Sequence, residues 1–361
     1  MRSILFALAL AISVSLTTLA QQTVAIAPEA QSSRALSAAS YIDRGNGWLR
    51  KGEFEGAISD YSLAIAFDAG YAEAYCNRGK AREGKGDLNG ALRDFDQALA
   101  LNPNMIEALI SRGLARCNKG EIAAGLADFS RVIELNPRDA GVWSNRGAAR
   151  QQLGDIDAAL ADYAEAIRLN PRLADPWSNR CGARYARGEL DAALSDCERA
   201  LKLNPRHATA LNNRGGILTQ KGDVDGALAD LDQAIKLDPG RGYFYINRGK
   251  AWLLKGDGGG ALNDLDQAIK LDASDAEAWW TRGVIRAEKQ DYTRALADFD
   301  QAIKLAPRLA EVWHNRAVTL LRMDRLPEAE ADFARFRELG GKLKPEAEQL
   351  WREVKEKLRQ K

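Results

Sequence analysis

The chain repeats itself every 34 residues, and no other feature limits its fold as strongly. Arg44, Arg78, Arg112, Arg146, Arg180, Arg214, Arg248, Arg282 and Arg316 fall at that spacing without a break. Asp60, Asp94, Asp128, Asp162, Asp196, Asp230, Asp264, Asp298 and Asp332 keep the same period. Such a period marks a stack of like supersecondary units, each burying its apolar face on its neighbours. Nine copies run over residues 38–71, 72–105, 106–139, 140–173, 174–207, 208–241, 242–275, 276–309 and 310–343. Counting within a copy, Arg stands at position seven and Asp at position twenty-three.

Each copy reads as two helices. In residues 72–105, the first helix carries Tyr75, Arg78 and Gly79 and stops at Lys85-Gly86-Asp87. Glycine there can take the left-handed conformation that closes a helix, and the acid that follows suits the next N-terminus. The same glycine recurs at Gly52, Gly120, Gly154, Gly188, Gly222 and Gly256. The second helix carries Leu88, Ala91, Leu92, Phe95, Ala98 and Leu99 at three- and four-residue spacing and ends at Asn102-Pro103. Small residues at Gly79, Ala91 and Ala98 let the two helices approach closely.

A 34-residue helix–turn–helix with an aromatic, then Gly, Ala, aromatic, Ala and Pro at these positions resembles the tetratricopeptide repeat family. The resemblance covers residues 38–343. It implies an all-α, right-handed superhelical solenoid whose first helices line a concave groove that binds other proteins. The chain departs from the family pattern in several places. Arg stands at position seven where the family usually has an apolar residue. Cys181 replaces the position-eight glycine of repeat five, and Gly258-Gly259-Gly260 opens the second helix of repeat seven, where fraying is expected. Repeat nine departs most, with Ala317, Glu330 and Phe336.

Several constellations follow from these positions. The nine Arg–Asp combinations, among them Arg78 with Asp94, Arg146 with Asp162, Arg214 with Asp230 and Arg248 with Asp264, read as partly buried ion pairs joining the helices of a repeat. At about 100° per residue, positions two, five, six, nine, twelve and thirteen lie opposite the core side and face the groove. Position six is Asn77, Asn145, Asn179, Asn213, Asn247 and Asn315 in six copies. An amide side chain can pair with both polar groups of a peptide unit, so this row can hold an extended backbone, as in some long tetratricopeptide superhelices. The other reading is that these amides are solvated or bond a neighbouring repeat. Ser144, Ser178, Asn212, Ala148, Gly182 and Gly216 suggest a small, polar groove floor in repeats four to six. Tyr243, Ile246, Leu253, Leu254, Trp280, Val284 and His314 suggest an aromatic and apolar partner site in repeats seven to nine. Trp143, Trp177, Trp279 and Trp313, at position four, read as core. Cys181 and Cys197 occupy facing positions of one repeat, as an oxidisable pair or as two packed thiols.

The ends read differently. A basic start at Arg2, an apolar run from Ile4 to Leu16 and small residues to Ala20 have the form of a secretory signal peptide over 1–20. That run is short for a membrane span, so no span is expected in the mature chain. Residues 21–37 read as a linker and 344–361 as a capping helix, with Ala347, Leu350, Trp351, Val354 and Leu358 on one stripe. The chain has 51 basic and 50 acidic residues; removing 1–20 takes one Arg and no acid, which leaves 50 of each. That balance argues against nucleic acid as a partner. Two His and four Cys leave little for a zinc site, and no phosphate-cradling loop or catalytic pairing appears, so neither a cofactor, a metal nor an enzyme activity is expected. The expected function is an exported scaffold, periplasmic or secreted, that binds an extended segment of a partner protein. The alternatives are a chaperone-like holder of exported polypeptides and the recognition subunit of a separate envelope enzyme.

Overall fold

The computed structural model describes residues 27–343 and 345–359. The signal peptide read over 1–20 lies outside the described residues. Among these residues the chain is entirely helical, as paired antiparallel helices at the expected period. The helices are α1 (Ala27–Lys51), α2 (Phe54–Phe67), α3 (Ala72–Gly84), α4 (Leu88–Leu101), α5 (Ile106–Asn118), α6 (Ile122–Leu135), α7 (Ala140–Gln152) and α8 (Ile156–Leu169). They continue as α9 (Ala174–Ala186), α10 (Leu190–Leu203), α11 (Ala208–Lys221), α12 (Val224–Leu237), α13 (Gly242–Leu254) and α14 (Gly258–Leu271). The last five are α15 (Ala276–Glu288), α16 (Tyr292–Leu305), α17 (Ala310–Arg322), α18 (Leu326–Glu338) and α19 (Pro345–Arg359). Two compact units meet in sequence at Leu169 and Asn170, the first holding α1–α8 and the second α9–α19.

Within each unit, a first helix packs on the second helix of its own repeat, which packs on the first helix of the next repeat. The seam inside a repeat is tight because position eight is glycine in seven of the nine copies, Cys181 and Ala317 being the others. A Cβ built on Gly79 would sit 2.6 Å from the Phe95 ring, and one on Gly283 would sit 2.6 Å from Phe299. Phe95, Phe129, Tyr163, Phe299 and Phe333 at position twenty-four are almost wholly buried there. In repeat five this pair is Cys181 and Cys197, joined in a buried disulfide that fills the space of the ring. Cys76 and Cys117 are free.

Helix ends follow from single residues. Asp87, Asp223, Asp257 and Asp291 cap second helices through main-chain N–H groups. The turn within a repeat takes positive φ at Gly52, Gly86, Gly120, Gly154, Gly188, Gly222 and Gly256. Repeats eight and nine put Gln290 (φ 63°) and Asp324 (φ 57°) at that position.

Helix α1 starts at Ala27, within the stretch 21–37. Beyond Pro28 the stretch holds Glu, Ala, Gln, Ser, Arg and Leu with no further breaker before Gly45, so helix propagates. The triple glycine of repeat seven does not shorten its helix: Asp257 accepts hydrogen bonds from the N–H groups of Gly259 (3.0 Å) and Gly260 (2.9 Å), and Lys289 covers Gly258. The tryptophans of position four are not fully enclosed: Trp143, Trp177, Trp279 and Trp313 are half-buried, whereas Leu109, Leu211 and Tyr245 at the same position are buried. The capping helix packs as the sequence stripe requires. Ala347 and Val354 are buried in one cluster with Leu320, Leu321 and Phe333, and Leu350 and Trp351 pack against it.

Candidate functional site

The Arg–Asp pair forms in all nine repeats. In each, Nε and Nη2 of the arginine donate to the two carboxylate oxygens of the aspartate sixteen residues later, as from Arg78 to Asp94 at 2.9 and 2.7 Å and from Arg146 to Asp162 at 2.9 and 2.8 Å. Arg214 with Asp230 and Arg248 with Asp264 have the same geometry. The third arm of the guanidinium reaches the preceding repeat: Arg112 donates to Asp96, Arg248 to Asp232, Arg282 to Asp266 and Arg316 to Asp300. Position-four rings lie under seven of these guanidinium groups, 4.6–5.7 Å from ring centre to Cζ. Hydrogen bonds to Asp264 and Asp232 hold the Arg248 pKa above its ordinary value although burial opposes them. These arginines are committed to structure within and between repeats.

The asparagines are also engaged. Asn77 is buried and donates to Asn46 Oδ1 (3.2 Å). Asn213 donates to the Ser178 carbonyl (3.3 Å) and Asn247 to Asn212 Oδ1 (2.9 Å), in each case on the first helix of the preceding repeat. Asn145 and Asn179 are half-buried. Asn315 faces His314 Nδ1 through its Oδ1 at 3.2 Å. For Asn77, Asn213 and Asn247, the amide donors therefore go to a neighbouring repeat rather than standing open.

Position five does not face a groove in most repeats. Ser144, Ser178, Asn212 and Ile246 are at most 4% exposed. The expected room at Gly182 and Gly216 is likewise taken, by Asn213 and by the Tyr185 ring. The angular argument treats a helix as having one covered side, whereas these first helices pack on each other as well as on second helices. Ile246 belongs to the core cluster around Leu265 and Ala268, and the half-buried Leu253 packs against it. At 1% exposed, Ile246 is a packing residue, which corrects its placement on a partner surface. His207 also has a structural place: its Nδ1 accepts from Ala210 N–H at the start of α11 and its Nε2 lies 2.9 Å from Asp175 Oδ1.

Repeats seven to nine differ. Tyr243 and Leu254 on α13 are 38% and 56% exposed. Trp280 and His314, at position five of α15 and α17, are only half-buried and line a cavity of about 470 Å³. Ala310, Glu311, Asn315, Phe336 and the turn from Leu339 to Lys342 complete its wall. The Trp280 indole N–H and His314 Nε2 are enclosed and have no hydrogen-bond partner. The His314 ring lies 5.1 Å from Phe336 and 6.0 Å from Phe333. A second, smaller cavity, lined by Val284, Phe299 and Val318, adjoins the other side of Asn315. The sequence reading missed Phe336 as a cavity wall. The signal was present: position twenty-seven is Ala or Val in the other eight repeats.

Among the described residues no three His, Cys, Asp or Glu side chains converge as a metal site, and no helix is long and apolar enough to cross a membrane.

Sequence models described as "Tetratricopeptide repeat" match residues 183–242, 246–310 and 286–342 in one form and 72–105 and 140–173 in another. A further model, "TPR repeat", matches residues 45–86. The crystal structure of the APC/C hetero-tetramer Cut9–Hcn1 is similar at a TM-score of 0.63 and 15% identity, over 78% of this chain and 55% of that one. This chain thus spans little more than half the length of that relative. A tetratricopeptide repeat protein from Parabacteroides merdae is similar at a TM-score of 0.54 and 19% identity, over 69% of this chain and 98% of that one. No curated protein matches the chain. At these identities the likeness shows the fold.

Proposed function

The chain carries tetratricopeptide repeats, and from that premise we propose that it is a protein–protein interaction scaffold holding an extended segment of a partner on the side of its first helices. Two observations carry this reading: Tyr243 and Leu254 on α13 are exposed, and the half-buried Trp280 and His314 on α15 and α17 border a cavity. Exposed aromatic residues and aromatic-lined pockets are what partner hot spots are made of. An asparagine row is the weaker support, since pairing with a peptide would break the bonds from Asn77, Asn213 and Asn247 to their neighbouring repeats. Asn315, beside the cavity, is the asparagine best placed to contribute.

We also propose export to the periplasm or the cell exterior. The support is the form of residues 1–20 and a disulfide between Cys181 and Cys197, since such bonds persist in oxidising compartments.

The test uses the full chain as bait beside a Tyr243→Ser/Leu254→Ser variant and a Leu271→Ser control on the second helix α14. Both surfaces are exposed, so all three chains should have the same circular dichroism. The expected result is a partner retained by the parent and the control and lost by the double variant. Retention of the same partner by all three would contradict the placement of the binding face.

A further inference from the structure

We propose that the cavity between α15, α17 and the turn from α18 to α19 is an anchor site for one aromatic side chain of a partner segment and the main-chain amide beside it. This deepens the scaffold reading and rests on it. Four observations lead here.

First, the chain's departures from its own repeat converge at this place. Position five holds Trp280 and His314 where repeats four to seven hold buried Ser144, Ser178, Asn212 and Ile246. Position twenty-seven holds Phe336 where every other copy has Ala or Val. Positions thirty-one and thirty-two are Gly340-Gly341 where four copies have Asn-Pro. The last two changes depend on each other: a Cβ on Gly341 would lie 2.1 Å from Phe336, so the ring occupies its place because residue 341 has no side chain. These residues come from different helices of two repeats; Trp280 also packs against the core around Phe299 and Val312, and Phe336 is 8% exposed.

Second, the volume of about 470 Å³ lies in the range of pockets that take compact ligands, about 300–1,000 Å³. It accommodates an aromatic side chain with its adjoining backbone.

Third, the walls have matching chemistry. Trp280, Phe336 and the His314 ring supply aromatic surface. His314 Nδ1 lies 3.2 Å from Asn315 Oδ1, and the tautomer that donates there leaves Nε2 as an acceptor. The rings that line the cavity carry two polar atoms with no partner inside the chain, the Trp280 N–H and His314 Nε2, both enclosed until the rings turn. A trans peptide unit carries one acceptor and one donor. Fourth, Glu311 and Lys342 at the cavity balance each other's charge, which suits a neutral ligand better than an anion or a cation. Both unpaired atoms are enclosed, so the rings turn as the ligand enters, and the indole N–H reports that event.

The probe is N-acetyl-L-phenylalaninamide, with N-acetyl-L-alaninamide and benzyl alcohol as controls lacking the ring or the amide. The indole N–H resonance of Trp280 is followed in the nitrogen-15-labelled full chain and assigned by its loss in Trp280→Phe. The proposal expects a saturable shift with the phenylalanine probe and a weaker response to either control. Trp280→Phe should weaken the probe about threefold to tenfold, followed through other cavity resonances, as expected for losing one hydrogen bond. Ala310→Phe, which fills the cavity from its rim without touching the indole, should abolish binding at an unchanged melting temperature. No saturable shift, an equal response to the alanine probe, or an unaltered affinity in both variants would overturn it. Partner capture through Tyr243 and Leu254 without probe binding would overturn the anchor alone and leave the scaffold standing. Probe binding without any partner would sustain the site and count against the scaffold.

Discussion

Arg282 shows why position seven is arginine in every copy. Two of its nitrogens hold both oxygens of Asp298, a third holds Asp266 of the preceding repeat, and its flat face covers Trp279. Lysine has neither the fork nor the plane. Asp298 is almost wholly buried and also accepts from Arg286, so Asp298→Ala takes the main partner from two guanidinium groups, leaves Arg282 only Asp266, and should cost about 3 kcal/mol. Hydrogen exchange in α15 and α16 would show that loss locally. Asp60→Ala is the contrast: the Arg44 side chain is 60% exposed, so solvent screens the pair and the loss should be clearly smaller than for Asp298→Ala. Cysteine chemistry gives a second residue-scale outcome. Burial pushes the Cys76 thiol up to about 12 and also raises that of Cys117, so both should react slowly with a thiol reagent at neutral pH while the chain is folded. Denaturation without reductant should release two thiols and with reductant four, because the other two are bonded as Cys181–Cys197. Four thiols without reductant would show that the pair is not oxidised.

At the scale of elements, the helix hairpin depends on where side chains are missing. Gly79→Ala drives a methyl group into the Phe95 ring and should destabilise the chain by about 1–3 kcal/mol. The opposite holds at Gln290, which takes a positive φ that glycine adopts freely; Gln290→Gly should stabilise repeat eight by about 1 kcal/mol in thermal unfolding. The hairpins, their turns, the nine ion pairs and the cap were legible in the sequence because each recurs or is amphipathic by itself. What lay around the first helices was less legible. Whether Asn213 faces a ligand or the Ser178 carbonyl depends on how closely two first helices lie, which Gly182 and Gly216 decide together with the residues that fill their space. Ile246 went to the core for the same reason, as a position read from one helix but set by two others. Trp280 and His314 were legible as unusual residues; the cavity they share needed Phe336 and Gly341, placed there by α18.

For the whole chain, stability is a sum of hairpins and their nearest-neighbour seams, so damage should stay near its source. Ending the chain after Leu343 removes α19 and uncovers Leu320, Leu321 and Phe333. Hydrogen-exchange protection should fall in α17 and α18 and remain unchanged in α1–α8. Exposed apolar side chains are spread along the stack, at Trp48, Leu114 and Leu153 as well as at Tyr243 and Leu254; those on α13 are set apart by the following first helices, whose half-buried Trp280 and His314 line a cavity. Site-specific photocrosslinking tests this most directly, with benzoylphenylalanine placed at Tyr243 and, in a separate chain, at Leu271. The account predicts that position 243 captures a defined segment of one partner and position 271 captures none. Equal capture from both positions, or capture from 271 alone, would contradict it.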